Sequence, residues 1–165
     1  MTSTTSETTA IKTVLFFAYG TLRQGERLHS WIEGEIVESK GVAVMPQSRL
    51  FYSKSHKAFP YLVMTNNPND TAVGEVYELP LSDQVLSMLQ MEANAGYSIV
   101  DAEALVNGEP VNVIVCVLDK SDTYVLGNAV EGNDWCSQPR TEWWSYGRHS
   151  FLLTPTGRGG CRVPC

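Results

Sequence analysis

The chain has 165 residues, 43% of them hydrophobic and 18% charged, which is the length of one domain with enough apolar material for a sizeable core. Its formal net charge of −6 and the lack of any Lys/Arg cluster exclude the basic face that a nucleic-acid binder presents. The longest apolar runs, Val14 to Ala18 and Val113 to Leu118, fall far short of the roughly 20 residues that a membrane-spanning helix takes.

Met1 to Thr9 is rich in Ser and Thr and carries Glu7. It has neither the basic start and apolar centre of a secretory signal nor the Arg-rich bias of a transit peptide. Residues 1–12 are therefore expected to form a disordered leader on a cytoplasmic protein. Thr13 to Tyr19 is β-branched and aromatic and reads as a buried strand. Gly20 and Gly25 punctuate the loop that follows, and Leu28 to Ile32 has room for one or two helical turns. Glu35 to Met45 broadly alternates, as a strand with one wet face does. Further strands are expected at Ser48 to Tyr52, Tyr61 to Thr65, Val73 to Leu79, Tyr97 to Val106 and Val111 to Leu118, with a strong turn at Asn66-Asn67-Pro68-Asn69-Asp70.

One helix interrupts this series. Pro80 and Ser82 open it, Ser82 caps it, Asp83 complements the positive end of its dipole and Gly96 stops it. Many strands, few helices and no βαβ alternation predict an α+β fold, an antiparallel or mixed β-barrel with helices on its rim. The expected division is a leader at 1–12, one barrel domain at 13–153 and a flexible tail at 154–165. Within that domain Trp135, Trp143, Trp144, Tyr146 and Phe151 make an aromatic segment that either closes the core or forms a ligand platform.

Four cysteines do not make a disulfide scaffold at this length. Cys116 lies in a strand-like run and reads as a small hydrophobe. Cys136, Cys161, Cys165 and His149 match no recognised zinc spacing. His29 and His56 have no partner at a telling interval. No Ser or Cys stands in a nucleophile elbow and no phosphate loop is present, so neither a metal nor a cofactor is expected.

Two places could carry chemistry. On the helix, Val85, Met88 and Leu89 share one face, and the next position on that stripe is Glu92. A carboxyl there either points to the core edge, where desolvation makes it an acid and base near neutral pH, or snorkels to water from the last turn. The first strand ends in Tyr19-Gly20, where the amides of Gly20, Thr21 and Leu22 either form a concave donor set for a carboxylate or oxyanion or belong to a plain β-turn. Arg23 could add charge beside that loop.

Phe17-Ala18-Tyr19-Gly20-Thr21-Leu22-Arg23 followed by Gly25 and His29 resembles the opening of the gamma-glutamylcyclotransferase-like family. Phe59-Pro60, Gly74-Glu75-Val76-Tyr77-Glu78-Leu79, Glu92 with Gly96-Tyr97, and Gly132-Asn133-Asp134-Trp135 resemble its later landmarks in the same order. The resemblance implies a mixed β-barrel with flanking helices and a pocket at its mouth. It implies substrate binding by the loop amides at Tyr19, Gly20, Thr21 and Leu22, and an acid and base at Glu92. Three residues before that glutamate, where the family commonly has aspartate, this chain has Leu89.

The chemistry so implied is coherent. A γ-glutamyl amide carries its own nucleophile, the α-amine, so cyclisation to 5-oxoproline with release of the free amine takes no enzyme nucleophile, metal or cofactor. The expected partner is thus a small γ-glutamyl substrate, with no nucleic acid and no membrane. The leaving amine is open: an amino acid, an amine, a crosslinked lysine side chain or a carrier-bound group. Two other readings use the same barrel, a non-catalytic protein that binds a small ligand or peptide end, and a different amide-cleaving or amine-transferring enzyme.

Overall fold

A computed structural model describes residues 10–55 and 59–138. Strand β1 (Thr13–Ala18) is followed by the one-turn helix α1 (Ser30–Glu33), β2 (Glu38–Pro46), β3 (Ser48–Ser53), β4 (Pro60–Met64) and β5 (Thr71–Pro80). Helix α2 (Asp83–Asn94) then leads into β6 (Tyr97–Val106), β7 (Glu109–Leu118) and β8 (Leu126–Ala129). Three 3-10 turns, Lys120–Val125, Glu131–Asn133 and Trp135–Ser137, complete the described chain.

Five strands close a barrel in the order β1-β5-β2-β6-β7. Its neighbours are antiparallel except where β7 returns to β1 in parallel, with Phe16 opposite Ile114. That single parallel seam makes the barrel mixed. A separate antiparallel sheet, β4-β3-β8, stands beside it. Among the described residues no helix is long and apolar enough to cross a membrane.

The period of two along each strand splits the apolar residues into two cores. Phe17, Met45, Val76, Ala104, Val113 and Val115 belong to the first, which also takes in Leu50 and Leu62 of the small sheet. Phe16, Ala18, Tyr77, Leu79, Cys116 and Leu118 face the other way and join Ile32 of α1 and Val85 and Met88 of α2 in the second. This explains why β1 and the end of β7 read as unbroken apolar runs. Both of their faces are covered.

Helix α2 starts and stops as its sequence directs. Ser82 accepts a hydrogen bond from the Val85 N–H at 3.3 Å, and Gly96 follows the helix at φ 101°. The β6–β7 hairpin turns on Asn107-Gly108, both at positive φ, which matches the turn twist to the strand twist and fixes register from Tyr97↔Leu118 to Val106↔Glu109.

Helix α1 is a single turn, within the one or two turns expected, and two strands depart from expectation. Strand β2 begins at Glu38 rather than Glu35; its register with β5 starts at Glu38↔Glu78. Strand β8 is not expected from the sequence, since Gly127 and Asn128 are poor strand formers; a Cβ at Gly127 would lie a tight 3.2 Å from the backbone oxygens of Tyr52 and Ser53, so the residue that hides the strand also eases its approach to β3. His56, His149, Trp143, Trp144, Tyr146, Phe151, Cys161 and Cys165 lie outside the described residues.

Candidate active site

Strand β1 delivers the chain to Tyr19, whose ring stays buried while its hydroxyl donates to the Cys116 carbonyl at 2.6 Å. The backbone then turns, closed by Arg23 N–H to Gly20 O at 3.0 Å and by Leu28 N–H to Thr21 O at 2.9 Å. The His29 ring nitrogen Nδ1 lies 2.8 Å from Leu22 O and holds the far side. Among the described residues, the amides of Gly20, Thr21 and Leu22 make no hydrogen bond. Gly20 is not in the left-handed region; a Cβ there would lie 2.7 Å from Cγ of Pro60. The glycine is required because a rigid ring packs directly on the loop.

Glu92 comes to the same place from α2. Val85 is fully buried and Met88 is 2% exposed, so the helix is fixed by its apolar stripe and Glu92, in the last turn, is held half-buried at the edge of the core. Its carboxyl has no hydrogen bond or ion pair among the described residues, and burial raises its pKa above the ordinary 4.5.

Glu92 and the loop residues Tyr19, Gly20, Thr21 and Leu22 line one cleft, together with Phe59, Pro60, Tyr97 and Cys116. The Tyr97 hydroxyl donates to the Pro60 carbonyl at 2.9 Å, which ties β6 to the residue that braces Gly20. Burial pushes the Tyr19 and Tyr97 hydroxyls well up, so both remain protonated donors. Burial, helped by the Glu92 charge, pushes the Cys116 thiol up to about 12, which disqualifies it as a nucleophile near neutral pH.

Arg23 is not at the cleft. It is fully buried, with Nη1 donating to Asp134 Oδ1 at 2.8 Å and Nε 3.7 Å from Glu75 Oε2. Glu75 in turn accepts from Gln24 N–H at 2.9 Å and from the Tyr77 hydroxyl at 2.5 Å. The charge expected beside the loop goes instead into anchoring it. Among the described residues no group of three or more His, Cys, Asp or Glu side chains is placed to hold a metal.

The family model described as gamma-glutamyl cyclotransferase, AIG2-like, matches residues 16–143. The chain belongs to that family. Solved structures agree on the fold. An AIG2-like protein from Mus musculus matches at TM-score 0.59 and 19% identity, over 78% of this chain and 92% of that one. A gamma-glutamyl cyclotransferase matches at TM-score 0.54 and 17% identity, over 72% and 70%. YkqA from Bacillus subtilis matches at TM-score 0.58 and 18% identity; the chain covers 40% of its length, with 75% of this chain aligned. No curated protein sequence matches.

The sequence landmarks of this cyclotransferase-family chain prove to be neighbours in space. Phe59-Pro60 braces Gly20 and lines the cleft. Gly74 admits β1, since a Cβ there would meet Ala18 O at 2.5 Å and the Phe17 ring at 2.6 Å. Glu75 and Tyr77 hold the Gln24 amide, and Asp134 pairs with Arg23. Asn133 accepts from Leu50 N–H at 2.6 Å and donates to Ser48 O at 2.8 Å, stitching this segment to β3. Pro60 and Tyr97 are landmarks in the sequence, but their place at the cleft has no local pattern, because their contact with each other and that of Pro60 with Gly20 are nonlocal. Trp135 is buried against Tyr52, ring centroids 5.7 Å apart, which supports core closure for that one aromatic.

Proposed function

We propose that the protein is a cyclotransferase that converts a γ-glutamyl amide to 5-oxoproline and a free amine, with Glu92 as acid and base and the amides of Gly20, Thr21 and Leu22 as the anion holder. The observation that carries this reading is the meeting, along one cleft, of a desolvated carboxyl from α2 and the three residues after β1 whose amides are unbonded among the described residues. The substrate α-carboxylate sits on the loop amides, where fixed dipoles replace its water. Glu92 accepts a proton from the α-ammonium group. The freed amine nitrogen bonds to the γ-carbonyl carbon, closing the five-membered ring. As the carbon–nitrogen bond to the leaving amine breaks, Glu92 returns the proton to that nitrogen, and the second proton that the ring nitrogen sheds in becoming the lactam N–H passes to the departing amine, which leaves as its ammonium ion.

The raised pKa of Glu92 supports the reading, because a group that both takes and gives a proton works best with a pKa drawn towards the working pH. The neutral tyrosines and protonated thiol around it leave the carboxyl as the proton carrier of the cleft. The test is incubation of purified protein with a panel of γ-glutamyl amides and detection of 5-oxoproline by mass spectrometry. Release above the uncatalysed rate is expected; no release from any member sinks the reading.

A further inference from the structure

Next to the cleft, a second and wider chamber runs between the loop and the end of α2. The two chambers adjoin: Thr21, Phe59, Glu92 and Tyr97 line both. The outer wall is otherwise mainly apolar, formed by Leu28, Trp31, Met91 and Ala95. Met91 is 49% exposed and Trp31 and Leu28 are only half-buried, so large apolar groups stand open to water one helix position from the proposed proton carrier. The charged residues of this wall, Arg27 and Glu92, have opposite signs, which leaves a charged tail no net field to favour it.

Resting on the cyclotransferase reading above, we propose that this outer chamber binds the leaving group and that the substrates are γ-glutamyl amides of uncharged amines with a bulky aromatic or aliphatic tail. The assignment of halves follows from geometry. Gly20 and Leu22 line the inner chamber and not the outer one, so the glutamyl carboxylate is assigned there. Glu92 is shared, so the scissile amide nitrogen that it protonates lies at the junction. Whatever that nitrogen carries must then extend outward, onto Trp31 and Met91. An apolar tail there removes both its own surface and that of the wall from water, and apolar pockets discriminate in this way by roughly tenfold or more per well-filled increment.

The experiment compares kcat/KM for γ-glutamyl phenethylamide, γ-glutamyl methylamide and γ-glutamyl (3-aminopropyl)amide, followed by 5-oxoproline release. The phenethylamide is expected to be turned over at least about tenfold more efficiently than either of the others. Trp31→Ala and Met91→Ser are each expected to shrink the phenethyl-to-methyl ratio. Because a ratio measured on one preparation cancels any loss of folded protein, a folding defect does not imitate the result. Equal efficiencies, a preference for the cationic tail, or a ratio untouched in both variants overturns the subsite while leaving the reaction standing. Failure of all three amides to give 5-oxoproline overturns the reaction and the subsite together.

Discussion

At Glu92, burial acts on the proton and on stability through one free energy. A carboxyl whose folded pKa is raised binds its proton more tightly in the native state, so its ionisation opposes folding. That penalty is absent below the ordinary 4.5, builds as the pH rises through the raised folded value, and is complete above it. Glu92→Gln is therefore expected to melt at a higher temperature than wild type at pH 7, with the difference shrinking as the pH is lowered towards 4, read by thermal unfolding at both values. The same shift places the acid limb of kcat/KM above pH 4.5, since Glu92 must be ionised to take the proton. Gly20 carries a second expectation. A valine there drives a Cβ against the Pro60 ring, whose carbonyl is the acceptor for Tyr97. Gly20→Val is expected to lose about 1–3 kcal/mol of stability, as overpacking does, and to raise KM as well. Unfolding and kinetics on one preparation check both; a stability loss with KM unchanged would detach the loop from substrate binding.

Helix α2 shows at the scale of the element how far the sequence could be read. Ser82, the stripe of Val85, Met88 and Leu89, and Gly96 are local signals, and the helix begins and ends where they place it. The place of Glu92 followed from the same stripe. Ser82→Ala removes the cap to Val85 and is expected to cost about 1 kcal/mol, measured by denaturant unfolding, without changing kcat, because buried Val85 and Met88 still set the helix position. What could not be read is nonlocal. The parallel seam of β1 on β7 joins Phe16 to Ile114, and nothing in either strand announces its partner. Strand β8 was hidden by Gly127, although a Cβ at that position would be tight against the backbone of β3. Arg23 was misplaced for a related reason. An arginine beside a loop is ordinarily solvated, and its burial here is made possible by Asp134, 111 positions further on.

Across the whole molecule, the Arg23, Glu75 and Asp134 cluster links the first loop to β5 and to the last described segment. Removing one partner leaves a buried guanidinium under-compensated, which typically costs 3–5 kcal/mol. Asp134→Ala is expected to destabilise by about that amount, while Asp134→Asn, which keeps an oxygen for the Cys136 N–H, is expected to lose less. Both should raise KM in whatever protein remains folded, because the cluster anchors the loop that offers its amides; equal stability of both variants and wild type, seen by denaturant unfolding, would show that the ion pair is idle. The central claim is that Glu92 moves the proton in this cleft, and its most direct measurement is the rate of 5-oxoproline release from a γ-glutamyl amide by wild type and by Glu92→Gln, each confirmed folded. The expected result is a loss of about 10²-fold or more. Turnover by Glu92→Gln near the wild-type rate would contradict it.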